Sequence, residues 1–233
     1  MNDKIRGIVL SSTVYKEQDL LLRVLTNTNE LYSLVLKGGN KINSKRRSQI
    51  IPFSETEFII NLVYNKNIYT INNLSLIKYN KILNDPLYYC VLAVFNEIIN
   101  QGFKDYALFI ETIKLINKEN YKTLLAIFIV ASINEAGVNP NLSSCLKCNS
   151  TKVVGFSISD GGYLCSNHLD ENRLDIELLQ TIRIIFRSKI EYLDLLLEKI
   201  KIDYSIIDIL IEYYSYHTNS KLESYKFLKT IDN

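Results

Sequence analysis

Apolar residues fall in short runs through the first eighty positions and at helical spacing after them. Residues 6–12, 19–26 and 31–36 are strand-like, and residues 53–60 open with polar–apolar alternation before turning apolar; residues 68–71 are short and β-branched. Asn27-Thr28-Asn29-Glu30 and Asn65-Lys66-Asn67 carry turn chemistry between them. Five short strands in so few residues predict a small closed or partly open barrel, and the OB-fold is the common barrel of this kind that also carries a basic surface. After Asp85-Pro86 the period changes. Leu87, Val91, Val94, Phe95, Ile98 and Ile99 line one side of a helix over 87–101, with Asp85 as N-cap, Pro86 in the first turn and Gly102 as the stop. Further helices are predicted over 106–117, 121–135, 175–187, 192–200 and 204–216, the second of these ended by Gly137 and Pro140. The expected class is α+β: an OB-type barrel over 1–80, then a helical domain over 81–233.

Between the helices lie Cys145-Leu146-Lys147-Cys148 and Cys165-Ser166-Asn167-His168. C-x2-C followed by C-x2-H after an intervening stretch is the layout of a closed structural zinc site. Each pair on a tight turn can grip one side of a tetrahedral ion. Val153-Val154-Gly155-Phe156-Ser157-Ile158, a turn at Asp160-Gly161-Gly162, and Tyr163-Leu164 read as a hairpin that brings the pairs together. We therefore assign Cys145, Cys148, Cys165 and His168 to zinc within an insert over 142–170. Four protein ligands leave no open position, so the ion is expected to be structural, not catalytic. Cys90 lies in an apolar helical run and reads as core.

With 47% hydrophobic and 22% charged residues the chain is an ordinary globular protein. No run approaches a membrane span, and the first residues show no long apolar segment of a secretory leader. A cytoplasmic location follows as an expectation, where clustered thiols favour metal over disulfides. Charge is uneven. Residues 1–80 hold 11 Lys+Arg against 6 Asp+Glu, and the remainder 16 against 19. The most basic stretch runs from Lys37 to Arg47, with Lys37, Lys41, Lys45, Arg46 and Arg47 and no acid. A basic loop on an OB-like barrel can follow a phosphate backbone. Arg6, Lys16 and Arg23 can add to that patch, and Tyr15, Tyr32, Phe53, Phe58, Tyr64 and Tyr69 are possible stacking platforms, with at least half of them expected in the core. Glu55 and Glu57 sit two apart on one strand, and we read them as a solvated face. His217, at the end of a Tyr-rich helix, reads as a partner of the helix C-terminus. No phosphate-binding glycine loop, nucleophile elbow or H-E-x-x-H pattern occurs, and no catalytic constellation is apparent.

The order of parts resembles the RecO family of bacterial recombination mediators, across nearly the whole chain. The segments that carry the likeness are Gly7-Ile8-Val9-Leu10 with Tyr15 to Leu22, Leu36-Lys37-Gly38-Gly39 with Lys45-Arg46-Arg47, Gln49 to Phe53, Ala136 to Leu142 ahead of Cys145, Phe156-Ser157 with Gly161 to Cys165, and His217 to Leu228. The chain departs from the family in two respects. Its basic loop holds Asn and Ile where Arg is frequent, and His168 stands where Cys is commoner, which adds pH sensitivity because only neutral imidazole binds metal. The resemblance implies a protein that is not an enzyme. It implies binding of single- and double-stranded DNA, annealing of complementary strands, and help in loading recombinase on strands coated with single-strand DNA-binding protein, together with RecR, at the bacterial nucleoid. The residues expected to touch DNA are Lys37, Lys41, Lys45, Arg46 and Arg47, with Arg6 and Arg23 secondary. Three other readings compete: an RNA-binding OB module, a protein–protein adaptor, and a metal-dependent nuclease, which would need an open metal site or paired acids.

Overall fold

Strands β1 (Asn2–Tyr15), β2 (Asp19–Thr26), β3 (Leu31–Leu36), β4 (Glu55–Asn61) and β5 (Ile68–Lys78) close a barrel in the order β1-β2-β3-β5-β4. This computed structural model describes residues 2–61, 68–79, 85–169, 173–188 and 190–232. The expected turn at 65–67, Tyr64, the expected domain boundary at 80/81 and the last residue of the insert, Asp170, lie outside them. All strand pairs are antiparallel except β3–β5, which is parallel. That closure is the OB-type barrel the strand pattern predicts. Alternation explains it: along β2, Leu20, Leu22 and Val24 turn inward to meet Val9, Leu34, Leu36, Ile50, Phe58, Ile60, Ile71 and Leu74.

Two strands run longer than their apolar patterns predict. β1 extends on both sides of 6–12 because Lys4 and Thr13 are polar yet paired, opposite Ile59 and Leu21. β5 extends to Lys78 because Asn72, Asn73 and Ser75 face out while Ile71 and Leu74 are buried. The fourth strand starts later than residue 53. Phe53 takes a left-handed backbone (φ +63°), which breaks extended structure and is costly for an aromatic residue. The surroundings hold it there. Its N–H donates to the Val9 carbonyl at 2.6 Å, and its buried ring meets Tyr89 and Phe109 edge-on.

The helices are α1 (Pro86–Asn100), α2 (Tyr106–Leu115), α3 (Tyr121–Glu135), α4 (Ile176–Arg187), α5 (Leu193–Lys199), α6 (Tyr204–Thr218) and α7 (Glu223–Asp232). A small sheet of β6 (Val153–Ser157) and β7 (Gly162–Cys165) lies between α3 and α4 in the chain. The Asp85 carboxylate accepts from the Leu87 N–H at 3.0 Å, as an N-cap should. Two compact units result: Met1–Leu92 with Lys104–Lys114, and Ala93–Phe103 with Leu115–Asn233, so the division runs through α1. In the second unit α3 is buried on nearly all sides and packs against α4 and α6. Phe95 stacks on Phe128 within this core, and Cys90, at the other end of α1, is buried as expected. Among the described residues no helix is long and apolar enough to cross a membrane.

Hydrophobic periodicity predicts no helix over 223–232. α7 buries only Tyr225 and Leu228, too sparse an apolar stripe to stand out. Tertiary contacts hold it instead. Glu97 on α1 caps its N-terminus, accepting from the N–H groups of Glu223 (3.0 Å) and Ser224 (2.9 Å), and Lys122 pairs with Asp232 at its far end (3.1 Å).

Candidate nucleic-acid interface and metal centre

The chain from β3 to β4 is a sequence of turns, and its root is fixed. Gly38, at φ +67°, donates its N–H to the Asp19 carboxylate at 2.8 Å, and the Asn40 N–H donates to the Gln18 carbonyl at 2.9 Å. The acceptors are the last residue of the β1–β2 turn and the first of β2. Gly39 is wedged below: a Cβ there would stand 2.9 Å from Leu36 Cδ2 and 3.1 Å from Leu20 Cδ1. Past this anchor the loop closes successive tight turns through Lys41 N–H to Gly38 O, Ser44 N–H to Lys41 O, and Arg47 N–H to Ser44 O. Arg47 begins a short 3-10 turn that leads to β4.

Lys37, Lys41, Lys45, Arg46 and Arg47 are all exposed, and among the described residues none of them is ion-paired. Arg46 alone makes a side-chain hydrogen bond, a long one (3.4 Å) to the Asn72 carbonyl. Of the two acids beside the anchor, Glu17 and Asp19, Asp19 has an oxygen committed to Gly38. This is an open cationic surface on an ordered scaffold. Lys16 lies over the half-buried Tyr15 ring at the same turn. Arg23 donates to the Ser33 hydroxyl at 3.0 Å. Of the candidate platforms, Phe53 and Phe58 are buried, and Tyr32 and Tyr69 pack against the barrel core and each other.

Arg6 stands differently. Its Nε donates to Glu55 at 2.6 Å, and the Tyr106 hydroxyl donates to the same carboxylate oxygen. Glu55 is only 5% exposed, so the reading of Glu55 and Glu57 as a solvated face is wrong for Glu55. A register shift between Glu55 and Thr56 separates the two acids, and α2 covers the first. Glu57, partly exposed, pairs with Lys4 at 2.9 Å. No neighbour in sequence signals this triad, because its members come from β1, β4 and α2. Burial pushes the Glu55 carboxyl up, but Arg6 and Tyr106 outweigh it and hold the group below its ordinary value. A depressed carboxylate stabilises the fold above its unfolded pKa of about 4.3, and that contribution is lost as pH falls through the folded value. Glu55→Ala removes the acceptor of the half-buried Tyr106 hydroxyl and of Arg6, which water can still reach, and is expected to cost about 1 kcal/mol at neutral pH. Denaturant titration at pH 7 and again near pH 3 checks this: the gap from the parent protein should shrink at the lower pH.

The metal-ligand pairs come together in the second unit. Cys145 Sγ lies 3.6 Å from His168 Nδ1, Cys148 Sγ lies 3.7 Å from Cys165 Sγ, and Cys165 Sγ lies 3.4 Å from His168 Nδ1. All four ligand atoms fall within 4.8 Å of one another. Bonds of about 2.3 Å to sulfur and about 2.0 Å to nitrogen give a tetrahedron with edges of roughly 3.8 Å between sulfurs and roughly 3.5 Å from sulfur to nitrogen. These three separations lie close to those edges, so the cluster can hold a metal ion. Burial opposes the Cys145 thiolate, yet N–H donors of Cys165, Lys147 and Cys148 bring its pKa down to about 6. That favours the ligating form.

Local contacts explain the convergence. Cys145 donates its N–H to the Ser150 carbonyl (2.8 Å) and accepts from the Asn149 N–H (2.9 Å), so the first pair rides on one tight turn. Leu146 N–H donates to the Tyr163 carbonyl on β7 at 2.9 Å. Asn141 bridges to the hairpin end, where a Cβ on Gly162 would meet the Asn141 carbonyl oxygen at 2.4 Å; only glycine fits. From behind, the buried Tyr163 hydroxyl donates to the Leu179 carbonyl of α4. His217 Nε2–H donates to the Ile158 carbonyl at 2.7 Å. So His217 does more than meet its own helix end: it ties α6 to the hairpin turn, a role with no signal in local sequence.

Two family models match the chain. The one described as recombination protein O N terminal covers residues 1–80, and recombination protein O C terminal covers 101–226. Among curated proteins, one named DNA repair protein RecO from Halalkalibacterium halodurans is 23% identical, over 100% of this chain and 96% of its own length. Its namesake in Bacillus pumilus is 22% identical over 99% and 94%. That in Mesoplasma florum is 29% identical over 72% and 68%.

Proposed function

The chain belongs to the recombination protein O family, and from that footing we propose that it is a recombination mediator of DNA repair, without enzymatic activity of its own. In this reading the barrel and its basic loop bind single- and double-stranded DNA through phosphates, with little regard to sequence. Complementary strands held on one cationic surface repel each other less and anneal. With RecR, the protein then helps load recombinase on DNA coated by single-strand DNA-binding protein, at the nucleoid in the cytoplasm. The observation that carries the reading is the loop itself: five exposed cations free of ion pairs among the described residues, on an anchored scaffold. Unpaired exposed cations contribute little to folding, whereas phosphates would pair them.

Cys145, Cys148, Cys165 and His168 would hold zinc. With four protein ligands the ion supplies folding energy and no reactive water.

Annealing of two labelled complementary oligonucleotides, bare and then coated with single-strand DNA-binding protein, tests the function. The expected result is acceleration in both cases, about tenfold or more, because nearby cations lower the strand–strand repulsion that slows pairing. No acceleration, a strong preference for RNA over DNA of the same sequence, or steady strand cleavage with Mg²⁺ would each refute it.

A further inference from the structure

Charge does not account for every side chain on the basic loop. Ile42, within the loop, is 101% exposed. It is the second residue of the Lys41–Ser44 turn, which is closed at 3.0 Å by the Ser44 N–H. Flanking turns and the Gly38–Asp19 anchor fix this turn, so the backbone holds the isoleucine out. A β-branched side chain also has few rotamers and keeps its shape when exposed. The same loop carries the exposed Lys41, Lys45, Arg46 and Arg47, and no acid occurs between 37 and 47. An apolar protein partner covering this loop would have to desolvate those cations. A nucleic acid would give them phosphates, and would give the isoleucine the faces of its bases.

We propose that Ile42 is an apolar wedge that enters between neighbouring bases of a bound strand, while the flanking cations hold the phosphates on either side. This rests on the reading of the loop as a nucleic-acid surface and adds to it. Phosphate contacts alone position a strand but leave its bases stacked. Aliphatic wedges unstack a base step. A mediator of pairing benefits from that division, since unstacked bases present their edges to an incoming complement.

The test uses the full chain and a single-stranded DNA oligonucleotide with one internal 2-aminopurine, whose fluorescence rises on unstacking. The parent protein and Ile42→Leu are expected to raise the signal at saturation, and Ile42→Ser to raise it less by about threefold or more, because a polar stub cannot replace an inserted apolar side chain. Ile42→Ser should keep the parent's dependence of affinity on salt, since every phosphate-binding cation stays in place. Equal signals from Ile42→Ser and the parent would overturn the wedge, as would no rise with the parent despite tight, salt-dependent binding. Either result would leave the nucleic-acid reading standing. Absence of binding by the parent protein would sink both.

Discussion

Reversing charge at Lys45, Arg46 and Arg47 together is expected to lower affinity for single-stranded DNA by about a hundredfold at low salt and to flatten its salt dependence. On a single strand, the slope of log affinity against log salt weakens by about 0.7 for each phosphate the protein ceases to neutralise, so three such phosphates account for roughly two units. The acids that replace them add repulsion. Folding should be untouched, because all three side chains are exposed and none is ion-paired among the described residues. The backbone of Arg47 bonds to Ser44 whatever its side chain, and Arg46 gives up only a 3.4 Å hydrogen bond to Asn72. Arg6→Glu makes a poor companion, since it would set a second carboxylate against the buried Glu55. Titrations by fluorescence anisotropy at several salt concentrations, with a thermal melt of each variant, read both quantities. An unchanged slope with an unchanged melt would end the assignment of this loop to DNA.

The parts of this molecule that sequence reveals are those whose cause is local. β2 and β3 begin and end where alternation and the Asn27–Glu30 turn place them, and α3 runs where its dense apolar residues predict. The metal cluster is legible because C-x2-C and C-x2-H each fold on their own turn, so spacing alone encodes half of the geometry. The misses have non-local causes. Glu55 looks solvated until Tyr106, from a helix fifty-one residues on, closes over it. α7 looks like a polar tail until Glu97 caps it. His217 looks like a helix end until the hairpin turn meets its ring. The anchoring of the basic loop belongs with these, since Asp19 and Gly38 meet only once β2 and β3 have paired. Each is a polar contact made between elements, and hydrophobic periodicity carries no record of such contacts.

Removal of the metal, or Cys145→Ser, is expected to loosen the β6–β7 hairpin while the barrel keeps its fold. Two short strands are marginal alone in water, and among the described residues the apolar cluster around the ligands is small: Cys145, Leu164 and Cys165 with Leu146 and Leu169 at its edge, beside the Tyr163 and Phe156 rings, with Phe156 packed on Tyr213. The exposed Lys147–Asp160 pair adds little. A tetrahedral ion would tie both turns to one point, and structural zinc contributes about 10–16 kcal/mol to folding in peptides that have no other core. Here the Asn141 bridge, Tyr163 on Leu179 and His217 on Ile158 supply part of the restraint. The loss should therefore be smaller and local. Amide exchange across 145–168 should quicken by about tenfold or more, each tenfold marking about 1.4 kcal/mol of local stability. Exchange in α3 should quicken less, because its burial does not depend on the ion. Metal analysis of the purified protein should find one zinc per chain, and Cys145→Ser should lose it. The five loop cations belong to the other compact unit, so the salt slope of DNA binding should hold when the metal is gone. A parent protein free of zinc, whose hairpin exchanges as slowly with chelator as without, would show that the four side chains pack without an ion.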